Sequence, residues 1–145
     1  MREYPARPVL AASAVVLKDG LVLLTLRANE PGRGYWSFPG GVVNLGETAE
    51  GAAIREVWEE TGIEVRVMRL LGVYDRIEKD EMGRIRFHYF IVNYLAEPLS
   101  DGCCALSDSQ DVRWLAPEEL RSLPVMPSVM DVLRGLGPQW KGDEE

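Results

Sequence analysis

Between Thr48 and Gly62 lies a helix whose two sides call for opposite surroundings. The Thr48 hydroxyl can cap the first turn, and Gly62 suits the left-handed residue that ends a helix, so the span is bounded at both ends. Ala52, Ala53, Ile54, Val57 and Trp58 supply apolar positions, while Gly51 costs up to about 1 kcal/mol relative to alanine. Glu56, Glu59 and Glu60 are three and four residues apart, so their carboxylates project together within a rise of about 6 Å. Clustered carboxylates repel one another unless a cation fills the space between them. Hard oxygen ligands on a rigid element suit Mg²⁺ or Mn²⁺, which keep waters and bind substrate phosphates. Taken alone, the same pattern is more often a solvated acidic face. The rest of the chain has to decide.

Val9–Leu17 and Leu21–Arg27 are apolar, β-branched runs separated by Lys18-Asp19-Gly20, a strong hairpin signal. Asn29–Gly34 reads as a loop, and Tyr35–Phe38 as a short strand ended by Pro39-Gly40-Gly41. Beyond the helix, Ile63–Asp75 and Arg84–Leu95 read as strands around a turn at Asp80–Gly83. Pro98–Gln110 is a polar loop, Val112–Leu115 a short strand and Ala116–Leu123 a helical turn. Pro127–Leu136 is the last helix, before an acidic tail at 142–145. Strands outnumber helices, and helices covering a mixed sheet on both faces give an α/β/α sandwich. At 145 residues, 46% hydrophobic and 27% charged, the chain is expected to be one globular domain over 1–145.

From Gly41 the chain reads Gly41-x5-Glu47-x7-Arg55-Glu56-Val57-x-Glu59-Glu60-x-Gly62-Ile63. This run resembles the Nudix box at every specified position, and Trp36-Ser37-Phe38-Pro39-Gly40-Gly41 extends the resemblance upstream. The resemblance implies a Nudix-type fold and a Mg²⁺-dependent hydrolase that cleaves the pyrophosphate link of a nucleoside diphosphate joined to another group. Glu56 and Glu60 then look like the main metal ligands, with Glu59 sharing a metal or the water. The Gly40 carbonyl resembles the backbone ligand, and Glu47 and Arg55 would hold the loop to the helix by pairing. In many family members an acid from a distant loop serves as general base. Asp108 is preferred here, with Asp111 and Glu59 as alternatives.

Around the box, Arg27 and Arg33 are candidates to grip a phosphate through forked donors. Arg86 and His88 alternate with Arg84 onto one strand face, which is either substrate-facing or solvated. Phe38 is a candidate to stack on the nucleoside, although aromatic residues of a short strand are core more often than not. Met126 stands near where mutator-type relatives carry an asparagine that reads an oxidised purine. A thioether cannot donate and accept as an amide does. ADP-ribose or a nucleotide sugar is therefore the expected substrate, ahead of nucleoside triphosphates. A module that senses a nucleotide without cleaving it is the alternative from another class, and it has no need of the full acidic set.

Twenty-three acidic residues against 16 basic ones give a net charge of −7, which argues against sequence-independent binding to nucleic acid. Met1–Leu17 loosely mimics a signal peptide, but Ser13 interrupts it, no cleavage site follows, and it is too short for a membrane helix. Adjacent Cys103 and Cys104 cannot form an ordinary structural disulfide with each other and read as reduced thiols. A cytoplasmic protein with no membrane partner is expected. Open strand edges would allow a homodimer.

Overall fold

The computed structural model describes residues 3–100 and 109–137. Strands β1 (Val9–Lys18) and β2 (Leu21–Arg27) form the expected hairpin, closed by Asp19 and Gly20 at φ 53° and 77°. Two consecutive left-handed residues match the twist of the flanking strands, and Asp-Gly tolerates them. Next come β3 (Trp36–Ser37), β4 (Gly40–Val42), helix α1 (Ala49–Thr61), β5 (Val65–Lys79), β6 (Ile85–Pro98), β7 (Ser109–Leu115), and helices α2 (Pro117–Leu120) and α3 (Pro127–Leu136).

The seven strands form one mixed sheet in the order β3-β2-β1-β6-β5, with β4 added beside β1 and β7 beside β2. β1 is the hub. One edge runs parallel to β6 from Val9↔Tyr89 to Val16↔Ala96. The other edge pairs first with β4, at Ala11–Ser13, and then with β2, at Leu17–Lys18. On this seam the Ser13 hydroxyl donates to Asn93 Oδ1 at 2.8 Å, so two buried polar side chains satisfy each other.

α1 packs on one face of the sheet. Val57 joins Ala14, Val16, Leu23 and Ile63, while the small Ala52 and Ala53 sit against Ala12. α3 covers the other face through Val129 and Leu133, packed with Val15, Leu24, Trp36 and Leu115. This is the sandwich expected from the sequence, with differences in several elements, among them β5 and β6, which run on to Lys79 and Pro98 past the expected Asp75 and Leu95. The strand expected at Tyr35–Phe38 shortens to Trp36–Ser37, and the glycine-rich segment after it is itself the strand β4. The helical turn expected over Ala116–Leu123 is only Pro117–Leu120, and β7 starts at Ser109 instead of Val112. Among the described residues, no helix is long and apolar enough to cross a membrane.

Candidate active site

The acidic side of α1 is placed by its two ends and by β4. The Thr48 hydroxyl accepts from the Gly51 N–H at 2.9 Å, and Gly62, at φ 76°, donates its N–H to the Trp58 carbonyl. At its two glycines β4 lies so close to its neighbours that a side chain is excluded. A Cβ at Gly40 would sit 2.5 Å from the Ala12 carbonyl oxygen, and one at Gly41 would collide with the Glu56 carboxyl group. Gly40 thus lets the strand approach β1 closely, and Gly41 leaves room for the Glu56 side chain.

Arg55 ties loop and helix together. Its Nε and Nη2 donate to the two Glu47 oxygens at 2.7 and 2.9 Å, in the forked geometry that suits guanidinium and carboxylate. Nη1 reaches Glu56 at 2.9 Å and Glu59 at 3.2 Å, and Nη2 also reaches the Val42 carbonyl at 3.0 Å. The Arg55 hydrogen bonds, helped by the Asn44 N–H, hold the Glu47 pKa down to about 2, and Glu47 in turn raises that of Arg55. Glu60 is in the opposite situation. Burial and the adjacent Glu56 charge push its pKa far above the carboxylate range, against the pull of the Gly40 N–H at 3.4 Å and of Arg27.

Glu56 and Glu60 stand at the wall of a cavity of about 280 Å³, which Gly40, Gly41, Phe38 and Met126 also line. Arg27 enters it from the end of β2. Its Nε donates to the Pro31 carbonyl at 2.6 Å, and burial followed by the nearby Arg76 lowers its pKa, with Glu60 opposing. The cavity therefore has an acidic wall and a basic wall. Tyr74 and Arg76 of β5, Tyr89 of β6 and Ser128 of α3 complete it.

Of the residues singled out from sequence, the fold brings Arg27, Phe38, Gly40, Glu56, Glu60 and Met126 together at this cavity. Others lie elsewhere. Glu59 is 43% exposed and lines no part of the cavity, although the Arg55 Nη1 that reaches Glu56 also reaches it. Indeed no three acidic, histidine or cysteine side chains among the described residues are grouped to hold a metal ion. Arg33 is exposed and lines no part of the cavity. Arg86 and His88 are a correction: β6 presents Tyr89 and Ile91 to the cavity, and alternation sends Arg86 and His88 to the opposite face, where Arg86 pairs with Glu3. Asp111 accepts from Arg113 at 3.1 Å and from the Val112 N–H, away from the cavity. Asp108 falls outside the described residues, as do both cysteines.

Sequence reading missed Tyr74, Arg76, Tyr89 and Ser128. The signal for the β5 pair was present in the period of two from Tyr74 through Arg76 to Glu78, all half-buried between exposed neighbours. Which side that face would meet depended on pairing with a distant strand.

The NUDIX domain family model matches residues 7–133. The chain is 39% identical over 95 residues to an ADP-ribose pyrophosphatase of Methanocaldococcus jannaschii, an alignment covering 66% of this chain and 56% of that protein's length. It is 36% identical over 137 residues to a MutT-like protein of Streptomyces ambofaciens, covering 92% and 82% respectively. A crystal structure of a MutT NUDIX hydrolase from Burkholderia pseudomallei superposes with a TM-score of 0.77 at 30% identity, over 88% of this chain and 97% of that one. Box, sandwich and these likenesses agree: the chain belongs to the Nudix family of hydrolases.

Proposed function

We propose that this protein hydrolyses the pyrophosphate link of ADP-ribose or a similar nucleotide sugar, with Mg²⁺ as cofactor and Mn²⁺ able to replace it. One observation carries the reading. Two carboxylates, Glu56 and Glu60, are pressed together at the wall of a cavity whose other wall bears Arg27.

The donor set fits a hard divalent cation. Glu60 is buried beside Glu56, so its charge is disfavoured until a cation compensates it, and the missing Cβ at Gly41 leaves space for the Glu56 carboxylate. Glu56 and Glu60 would hold the metal, aided by the Gly40 carbonyl that the family resemblance suggests. The bound metal supplies charge neutralisation at the diphosphate and a more acidic water. The chain's own groups do the rest. Glu47 and Arg55 fix the helix and the loop before it, so the carboxylates need no rearrangement when substrate arrives. Arg27 engages phosphate oxygens. Water adds to one phosphorus, the bridging P–O bond breaks, and its electron pair leaves on the other phosphate. Asp108 is the proposed acceptor of the water proton, because the alternatives Glu59 and Asp111 line no part of the cavity.

Two things favour a nucleotide sugar over an oxidised purine triphosphate. Met126, buried at the start of α3, offers the cavity a thioether instead of an amide, and the Methanocaldococcus relative carries the name ADP-ribose pyrophosphatase. The test is a panel of ADP-ribose, 8-oxo-dGTP and unmodified dNTPs at equal concentration with Mg²⁺. ADP-ribose is expected to give AMP and ribose 5-phosphate with the highest kcat/KM. A tenfold preference for 8-oxo-dGTP would transfer the proposal to triphosphate cleaning, and binding without turnover of any substrate would make the chain a sensor.

A further inference from the structure

The basic wall of the cavity contains more than one arginine. Arg27 lies at the end of β2 and Arg76 on β5, strands held apart in the sheet by β1 and β6, yet both residues line the same cavity and their charges act on each other. Arg27 spends only its Nε, on the Pro31 carbonyl, and neither Nη has a hydrogen bond among the described residues. Arg76 gives Nε and Nη2 to a single Glu78 oxygen at 3.0 and 2.7 Å, which fixes the plane of its guanidinium and leaves Nη1 without a hydrogen bond among the described residues. Glu78 sits two residues along the same face of the same strand, so it acts as a brace from the outer end of the cavity. Two like charges brought together in a partly buried space are unfavourable unless an anion joins them. Glu78 braces Arg76, while Glu60 and Glu30 act on Arg27 only through space, with no hydrogen bond to either of its Nη groups among the described residues, so those donors stay open to an anion.

We propose that Arg27 and Arg76 form a phosphate clamp, oriented by Glu78, that takes the phosphoryl group of the substrate farther from Glu56 and Glu60. The proposal rests on the reading of a diphosphate substrate. It adds a second anchoring point: one phosphate belongs to the acidic wall with its cation, the other to the guanidinium pair. Forked N–H donors match phosphate oxygens in number and direction, which a lysine ammonium does not. Arg76 is thus a specificity-determining residue, and Glu78 a positioning residue that acts through it.

The experiment is calorimetric titration of the metal-free protein in EDTA with ADP, followed by ADP-ribose kinetics with Mg²⁺. Arg76→Ala is expected to weaken ADP binding at least tenfold, Arg76→Lys to restore part of it, and Arg33→Ala, exposed and off the cavity, to leave it unchanged. Glu78→Gln is expected to raise KM several-fold with kcat and melting temperature held, the signature of lost binding instead of lost chemistry or fold. ADP binding by Arg76→Ala equal to wild type would overturn the proposal, as would an equal loss in Arg33→Ala, which would mean net charge alone. Should Arg76→Ala fail to fold, the lysine and Glu78 variants decide, and wild-type ADP affinity and KM in both would also overturn it. ADP binding that depends on Arg76 without hydrolysis of ADP-ribose would keep the clamp and discard the substrate reading.

Discussion

Glu60 and Asp80 are both carboxyl groups in contact with several neighbours, and their surroundings treat them in opposite ways. Asp80 opens the β5–β6 turn. Burial works against its charge, but Tyr4, the Arg84 guanidinium and the N–H groups of Met82 and Arg84 all donate to it, and together they bring its pKa to about 2. The Arg84 guanidinium also lies over the Tyr4 ring, at 4.9 Å from its centroid. At Glu60 the largest influence is burial, the next is another carboxylate, and the available donors do not compensate. The turn has satisfied its acid within the chain; the cavity wall has not. An acid whose charge the fold stabilises holds the structure together, whereas an acid whose charge the fold leaves unsupported marks a place for something from outside.

The largest expected consequence is in turnover. Glu60→Gln keeps the shape and removes one hard anionic donor, so kcat for the best substrate should fall by about 10²-fold or more, with the circular dichroism spectrum unchanged. Near-normal turnover at saturating Mg²⁺ would erase the distinction between the two acids. Next in size is the response to cations. Mg²⁺ or Mn²⁺ at a hundredfold excess over Kd should add about 2.7 kcal/mol of stability by mass action, read as a rise in Tm that an equal ionic strength of NaCl does not reproduce. Glu56→Gln should abolish that rise. An unchanged response in Asp80→Asn would show that the cation belongs to one acid cluster and not the other.

Gly41→Ala sharpens the picture sterically. Its methyl group would displace the Glu56 carboxyl. Activity should therefore fall by at least about tenfold, since small misplacements at a reacting centre are costly, while Tm in EDTA changes little. The smallest effect belongs to the turn. The Asp80 pKa is lower in the folded chain than the ordinary 3.8, so the stability it confers is present above pH 3.8 and is lost as pH falls toward about 2. Asp80→Asn should melt earlier than wild type at pH 7, converge with it near pH 2, and keep full kcat/KM.

Local features of the fold were legible in the sequence. The α1 caps at Thr48 and Gly62, the Asp19-Gly20 turn and the spacing of the box depend only on near neighbours, and each stands where pattern reading puts it. The cavity depended on register. Parallel pairing of β1 with β6 makes Tyr89 the partner of Val9, which sends odd-numbered β6 residues to the cavity and Arg86 and His88 away from it. A shift of one residue would have reversed that assignment, and nothing within β6 itself fixes it. Arg76 was missed for the same reason, since an arginine in a long alternating strand is indistinguishable from a solvated one until its face is known. Glu59 illustrates another limit. Helical spacing places it beside Glu56 and Glu60, yet it is exposed and off the cavity, joined to Glu56 only through the shared Arg55 Nη1.

The seam between β1 and β6 also has a kinetic meaning. The β1–β2 and β5–β6 hairpins close over short turns, whereas the Ser13–Asn93 contact joins residues 80 apart in the chain. Closing so long a loop must precede any reward from parallel pairing, and the same holds for the β2–β7 pairing from Val22↔Leu115, so both belong to the slower, entropically expensive part of folding. Ser13 lies on the cavity floor and Tyr89 on the same seam, so the cavity has no floor before the seam closes. A partly folded chain can carry a complete Nudix helix and two finished hairpins and still offer a nucleotide nowhere to sit. Recovery of activity on refolding should therefore coincide with the slowest structural phase.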